Sequence, residues 1–276
     1  MQDVNIEVDI GVDIEVERRF SSMNRLYGVE SANRIRSAHI MVVGIGGVGS
    51  WTAEALARSG VGTLTLVDMD HIAESNINRQ VHALSTTLGQ AKITAMRERI
   101  ALINPYCQVQ CVDDFVSEEN WVALLSSSLF TVDGVIDACD QIRAKTAMAA
   151  WAIAHKIPFI SVGAAGGKRL AHHVDIADLS TVTHDPLLAQ LRYRLRKYHQ
   201  AARDGKKIGL HCVFSREAVR PADASCAVQV DNSLNCHGYG SSVAVTGAFG
   251  LCAAGWMMEK ISNISPNSSK PPNFSL

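Results

Sequence analysis

The residues with the clearest chemical meaning lie in the first half of the chain, in four separated groups. The turn GIGGVGS (44–50) places Gly44, Gly46 and Gly49 in a G-x-G-x-x-G spacing. That spacing offers an anion a helix N-terminus and a backbone it can approach closely. Asp68 closes the next apolar run, where a carboxylate can take a ribose hydroxyl. The glycines alone leave two ligands open, the pyrophosphate of a dinucleotide and the triphosphate of ATP. The polar and charged residues further along the chain decide between them: Asn78-Arg79-Gln80, then Lys92, then Asp137 and Asp140 in GVIDACD. A nicotinamide cofactor needs no such set of fixed charges, and a dehydrogenase would leave Arg79, Lys92 and Asp137 without a task. An enzyme acting at the α-phosphate of ATP needs cations for the charge on the phosphoryl oxygens and the departing pyrophosphate, and a carboxylate to position Mg2+. Asp140 has two readings, a member of this set or a cap for a helix beginning near Ile142.

These groups sit between elements that alternate. HIMVVG (39–44), TLTLVD (63–68), QVQCVD (108–113), GVIDAC (134–139) and PFISVG (158–163) read as strands. Helical patterns fill 48–60, 88–104, 117–127 and 142–156. Such spacing makes βαβ units and predicts an α/β fold: a doubly wound, mostly parallel sheet with ligands at the carboxyl ends of its strands. The half expected to bind ATP spans 38–165. Beyond it the alternation decays into an irregular second half, 166–260, with strand patterns at 171–179 and 210–215, a helix over 185–203 beginning Asp-Pro, and a long loop over 216–240. Residues 1–18 and 261–276 have the composition of disordered ends.

Bulk properties narrow the setting. Residues 1–17 carry six carboxylates and no Lys or Arg, unlike a secretory or transit peptide. Seven cysteines without a C-x-x-C pair suit reduced thiols in a cytoplasmic protein better than disulfides or zinc. Residues 241–258 hold no charge, but are rich in Ser, Thr, Gly and Ala; a buried helix is expected in preference to a membrane anchor. Net charge is −1, yet Arg192, Arg194, Arg196, Lys197, Arg203, Lys206 and Lys207 crowd one segment with Tyr193 and Tyr198 between them. Such a stripe can neutralise nucleic-acid phosphates, or be the solvated face of a helix whose apolar side is Leu187, Leu188, Leu191 and Leu195. Lys168 and Arg169 are expected to add to it.

The ordered set GxGGxGS, VDxDxIxxSNxNRQ, GxxK and IDAxD resembles the adenylating domain of the ubiquitin-activating-enzyme superfamily, over about residues 18–165. RFSSMNRLYG (19–28), SVGAAGGKRL (161–170) and the arginine-rich helix resemble its tRNA threonylcarbamoyladenosine dehydratase branch. The resemblance implies that Gly44, Gly46, Gly47 and Gly49 cradle ATP, that Asp68 binds the ribose, and that Asn76 belongs to the nucleotide site. It implies that Arg79 and Lys92 contact the phosphates and that Asp137 holds Mg2+ or the adenylate. Arg25 matches an arginine that dimeric relatives extend into the partner's site, which implies a homodimer with Arg25, Arg79, Lys92 and Asp137 as its catalytic set.

Two substrates fit the implied chemistry: a carboxylate on a modified base in a tRNA anticodon loop, or the C-terminal carboxylate of a ubiquitin-like sulfur carrier. The two C-x-x-C pairs that usually hold zinc in the sulfur-carrier adenylases are missing here, so no zinc is expected, and the basic stripe favours tRNA. A cysteine-desulfurase or sulfur-acceptor partner is a weaker expectation. All seven cysteines are expected to be structural or incidental; of them Cys236, beside His237, is the one to test for thiol chemistry, ahead of Cys212 and Cys226, while His172 and His173 lack neighbours at metal-ligand spacing.

Overall fold

The computed structural model describes residues 4–127, 131–223, 225 and 239–264. Seven strands form one sheet in the order β3-β2-β1-β4-β5-β7-β6. They are β1 His39–Val43, β2 Thr63–Val67, β3 Gln108–Val112, β4 Gly134–Asp137, β5 Phe159–Val162, β6 Val174–Asp178 and β7 His211–Ser215. All pairings are parallel except that of β6 with β7. The central strands β1, β4 and β5 are buried along their whole length, which is why HIMVV, GVID and FISV lack polar alternation. The sheet matches the expected α/β class, and the second half is more regular than its sequence suggests, because β6 and β7 extend the same sheet.

Eight α-helices complete the described residues: α1 Val4–Tyr27, α2 Val29–Ser37, α3 Gly49–Arg58, α4 Lys92–Ile103, α5 Trp121–Ser127, α6 Ile142–His155, α7 Pro186–Tyr198 and α8 Val243–Ser262. One apolar core lies between the sheet, α3, α4 and α8, and holds Ile40, Val42, Leu56, Leu64, Leu66, Met96, Phe249 and Met257. The other face of the sheet packs against α5, α6 and α7 through Val135, Trp121, Met148, Leu188, Leu191 and Leu195. Gly134 opens β4 because α8 presses on it: a Cβ there would stand 2.4 Å from Met257 Sδ.

Two expectations for the ends of the chain meet different outcomes. Helix α1 runs through the acidic segment expected to be disordered. Helix α8 continues to Ser262, and the rest of the expected disordered tail, from residue 265, lies outside the described residues. No helix among the described residues is long and apolar enough to cross a membrane; α8 instead buries Val245, Phe249, Ala253, Ala254 and Met257 in the core.

Candidate nucleotide-binding and active site

Strand order reverses between β1 and β4, so their carboxyl ends open a crevice where open α/β sheets bind ligands. The glycine turn forms its floor. Gly44 has φ +86°, and a Cβ there would lie 2.9 Å from the carbonyl carbon and oxygen of Ala138 and from the amide nitrogen of Cys139. A Cβ on Gly49 would stand 1.7 Å from the Gly44 carbonyl oxygen. Backbone therefore packs on backbone here, and only glycine fits either place. Helix α3 starts directly after the turn with no side chain capping it, and although the Ser50 amide donates to the Gly46 carbonyl at 3.1 Å, its positive N-terminal end faces the place an anion would take.

Asp68 comes directly after β2 and secures the turn: Oδ2 accepts from the Ile45 amide at 2.6 Å and Oδ1 from the Asp70 amide at 2.8 Å. Burial raises its pKa, with the Lys92 ammonium opposing the shift. An ionised carboxylate accepts about four hydrogen bonds, so Asp68 keeps capacity for a ribose hydroxyl. Lys92 opens α4 with its side chain buried, and its Nζ lies 2.6 Å from Asp70 Oδ2. Arg79 donates from Nη1 to the Ser75 carbonyl at 2.5 Å and to Asn78 Oδ1 at 3.0 Å. Its stem covers Gly47, whose Cβ would meet Arg79 Cγ at 3.3 Å. The Arg79 carbonyl accepts from Trp51 Nε1 at 3.0 Å and from Thr246 Oγ1 at 3.3 Å, fixing the loop between α3 and α8. Asn76 is buried and shapes the same loop by accepting from the Ala73 amide at 3.1 Å. Gly44, Gly46, Gly47, Asp68, Asn76 and Arg79 thus lie in the loops that follow β1 and β2, and Gly49 and Lys92 open the helices those loops lead into.

Asp137 is different, and its expected metal role is corrected by its surroundings. It is fully buried at the last position of β4, 2.9 Å from the equally buried Lys145 Nζ, and accepts from Ser161 Oγ at 2.6 Å. A carboxylate so enclosed presents no oxygen to a nucleotide-bound cation. The carboxylate that faces outward at the end of β4 is Asp140. It does not cap α6, whose N-cap position is Gln141 with no side-chain hydrogen bond. The crevice also contains a polar residue that the motif reading passed over. Gln80 is buried, its Oε1 has no protein partner, and its Nε2 lies 4.0 Å from where a Gly46 Cβ would be. Its place in Asn-Arg-Gln, next to Arg79, was the available signal.

The ThiF family model matches residues 20–276. The chain belongs to the ThiF family. Among its curated relatives, the tRNA threonylcarbamoyladenosine dehydratase of Haemophilus influenzae is 42% identical over 247 residues, covering 89% of this chain and 94% of that one. The solved structure of Escherichia coli tRNA N6-threonylcarbamoyladenosine dehydratase in complex with ATP superposes with a TM-score of 0.79 at 41% identity, over 89% of this chain and 94% of that one. The molybdopterin-synthase adenylyltransferase of Escherichia coli is 30% identical over only 50% of this chain and 53% of its own.

The remaining expected residues of this ThiF-family chain lie away from the crevice. Arg25 is exposed in the last turn of α1, beside Leu26 and Val29, which are 74% and 61% exposed. Helix α7 is capped by Asp185, whose Oδ1 accepts from the Leu188 amide at 3.0 Å, and it buries Leu188, Leu191 and Leu195. Its outer face is basic. Arg192 donates to the carbonyls of Leu179 and Val182, Arg194 to Thr146 and Arg196 to the Ala202 carbonyl. All those partners are neutral. Lys197 Nζ lies 5.5 Å from the ring centre of Tyr193 and 5.1 Å from that of Tyr198. Lys168 does not join this face: it is buried and donates to the carbonyls of His184 and Glu217. Cys212 is buried, and burial lifts its thiol well above the ordinary range, whereas Cys226 and Cys236 lie outside the described residues. No three potential ligands gather into a metal site among the described residues, His172 and His173 included.

Proposed function

We propose that this protein uses ATP to dehydrate threonylcarbamoyladenosine in the anticodon loop of tRNA through an acyl-adenylate. The observation that carries the reading is the pairing, in one chain, of an α-phosphate site at the β1/β4 crevice with a basic, tyrosine-bearing α7 face. A carrier-protein adenylase needs the first feature only. The Haemophilus influenzae relative with that dehydratase name and the ATP complex of the Escherichia coli one each match 89% of the chain, which supports the same reading.

In the proposed reaction the threonyl carboxylate attacks the α-phosphate; a new O–P bond forms and pyrophosphate leaves. A nucleophile of the same threonylcarbamoyl group then attacks the acyl carbon, the ring closes and AMP departs, so the oxygen lost as water is carried away on AMP. The second nucleophile is tethered, and high effective molarity removes the need for an enzyme nucleophile. The turn 44–49 and the α3 N-terminus hold the phosphates, Asp68 the ribose, and Arg79 with Lys92 the charge that develops on the phosphoryl oxygens. Lys92 exchanges its contact with Asp70 for phosphate when ATP enters. Mg2+ bound to ATP usually takes one or two carboxylates in addition to phosphate oxygens. Asp140 fits that requirement by its exposure at the end of β4, and the ion would neutralise phosphate charge there. The adenylating unit extends over 19–260 as a homodimer, with Arg25 serving the partner's site.

The test is ATP–pyrophosphate exchange with purified protein and tRNA that carries or lacks threonylcarbamoyladenosine, with mass spectrometry of the digested nucleosides. Exchange confined to the modified tRNA, with loss of one water from the nucleoside, is expected. Exchange that appears only with a carrier protein's C-terminus would replace this reading.

A further inference from the structure

The core at the end of β4 contains a charged pair that the proposed chemistry does not use. Asp137 and Lys145 have fully buried side chains. Taking both ions out of water is costly, and apolar residues of similar size often serve stability equally well or better. Burial is the largest single influence on Lys145 and opposes its charge, but the charge and hydrogen bond of Asp137, with smaller contributions from Cys139 and Cys212, together raise its pKa above the ordinary range.

Its hydrogen bonds link α6 and β5 to the start of one turn. Asp137 accepts from the Cys139 amide at 3.3 Å with Oδ1, so the carboxylate folds back on the backbone leading to Asp140. Oδ2 is held by Lys145 from α6 at 2.9 Å and by Ser161 from β5 at 2.6 Å. Lys145 Nζ also reaches the Asp137 carbonyl at 3.4 Å. The Ala138 amide donates to the Val43 carbonyl at 2.8 Å, and the Ala138–Cys139 peptide is the backbone against which Gly44 packs. The pair therefore ties three elements to a peptide that touches the phosphate turn on one side and leads to Asp140 on the other.

We propose that Asp137, Lys145 and Ser161 form a positioning brace that sets turn 138–140 against the glycine turn, so that Asp140 meets the cation carried by ATP. The brace acts through Asp140 and touches neither nucleotide nor metal. This rests on the ATP site of the β1/β4 crevice and not on the identity of the acyl substrate.

The test uses the full chain and reads ATP affinity by calorimetry, with Mg2+ and with EDTA. The quantity of interest is the gain in affinity that Mg2+ confers. The triple variant Asp137→Val/Lys145→Met/Ser161→Ala replaces the brace with apolar groups. It is expected to bind metal-free ATP within about threefold of the parent while its Mg2+-dependent gain falls at least about fivefold, because an apolar replacement restores packing but not the pin on Cys139. Ser161→Ala, which leaves the ion pair in place and tests the brace if the triple variant does not fold, is expected to lose two- to threefold of that gain. An unchanged gain in either folded variant overturns the brace. A parent chain that binds ATP equally with and without Mg2+ removes the role of Asp140 and the brace with it. Absence of exchange with the modified tRNA removes only the proposed substrate.

Discussion

The crevice and the α7 face are both rich in cations, but they manage charge in opposite ways. In the crevice the side chain of Lys92 is buried against Asp70, 2.6 Å away, and below the floor Lys145 is locked to Asp137. On α7 the arginines lean on carbonyls and hydroxyls, and no described carboxylate forms an ion pair with any of them. A buried, matched cation has one geometry and suits a transition state. An unmatched surface cation projects a field and suits a polyanion whose exact seat varies. The two regions thus differ in how their cations are matched, paired and buried in one and unpaired at the surface in the other.

That division can be broken most forcefully in the crevice. Arg79→Ala is expected to slow pyrophosphate exchange by about 100-fold or more, as loss of a preorganised donor does elsewhere, with tRNA affinity unchanged. The check is exchange kinetics beside a filter-binding measurement. Comparable losses in both would join the two regions into one site.

The next effect concerns a group the crevice keeps neutral. His82 is buried two residues beyond Gln80, and neither ring nitrogen has a protein partner. Burial, with help from Lys92 and Arg99, lowers its pKa to about 4. Between about pH 6.5 and 4 the unfolded chain binds a proton there that the folded chain refuses, so stability falls as pH falls, by up to about 3 kcal/mol. Urea unfolding from pH 4 to 7 should show a shallower slope for His82→Leu than for the parent. Equal slopes would mean that the interior around Lys92 accepts charge as readily as the surface does.

On α7 the expected effects are smaller and take a different form. Lys197→Gln/Arg203→Gln should weaken tRNA binding about tenfold and reduce the dependence of log K on log salt by between one and two. Pyrophosphate exchange at saturating tRNA should not change. Tyr198→Ala should cost about 1 kcal/mol of tRNA affinity if the ring stacks on a base, and leave the salt slope as it was. A changed slope would assign Tyr198 to seating Lys197, over which it lies at 5.1 Å, instead of to the RNA.

Much of this was legible in the chain, for local reasons. Strand and helix patterns of 4 to 14 residues located β1 to β5 and α3 to α6, since a strand buried on both faces writes itself as an apolar run. The glycine turn was legible because two of its positions admit no Cβ. Asp137 was misread because the motif supplies two carboxylates three residues apart and does not say where the strand ends. Asp137 is the last residue of β4 and points into the core; Asp140 lies past the edge. Lys168 looked like part of the basic face because it is next to Arg169, but its ammonium is consumed by two carbonyls distant in sequence. Gln80 needed the fold to bring it to Gly46. The acidic start hid α1, since its six carboxylates suggest a solvated end and its valines and isoleucines recur with period 2, which is not the 3.6-residue pattern of a helix.

The contact between α8 and the Arg79 loop has a consequence for how the protein comes into being. Thr246 holds the Arg79 carbonyl, and Ser241, just before α8, accepts from Asn78 Nδ2 at 2.9 Å. A Cβ on Gly250 would lie 2.6 Å from the Val48 carbonyl oxygen, so α8 also seats the start of α3. The ribosome delivers Thr246 167 positions after Arg79, the residue of the loop it fastens. A nascent chain can therefore pair its parallel strands and still lack a finished phosphate site. The geometry of that site is thus set by contacts that span a large stretch of sequence, and not by the glycine turn alone.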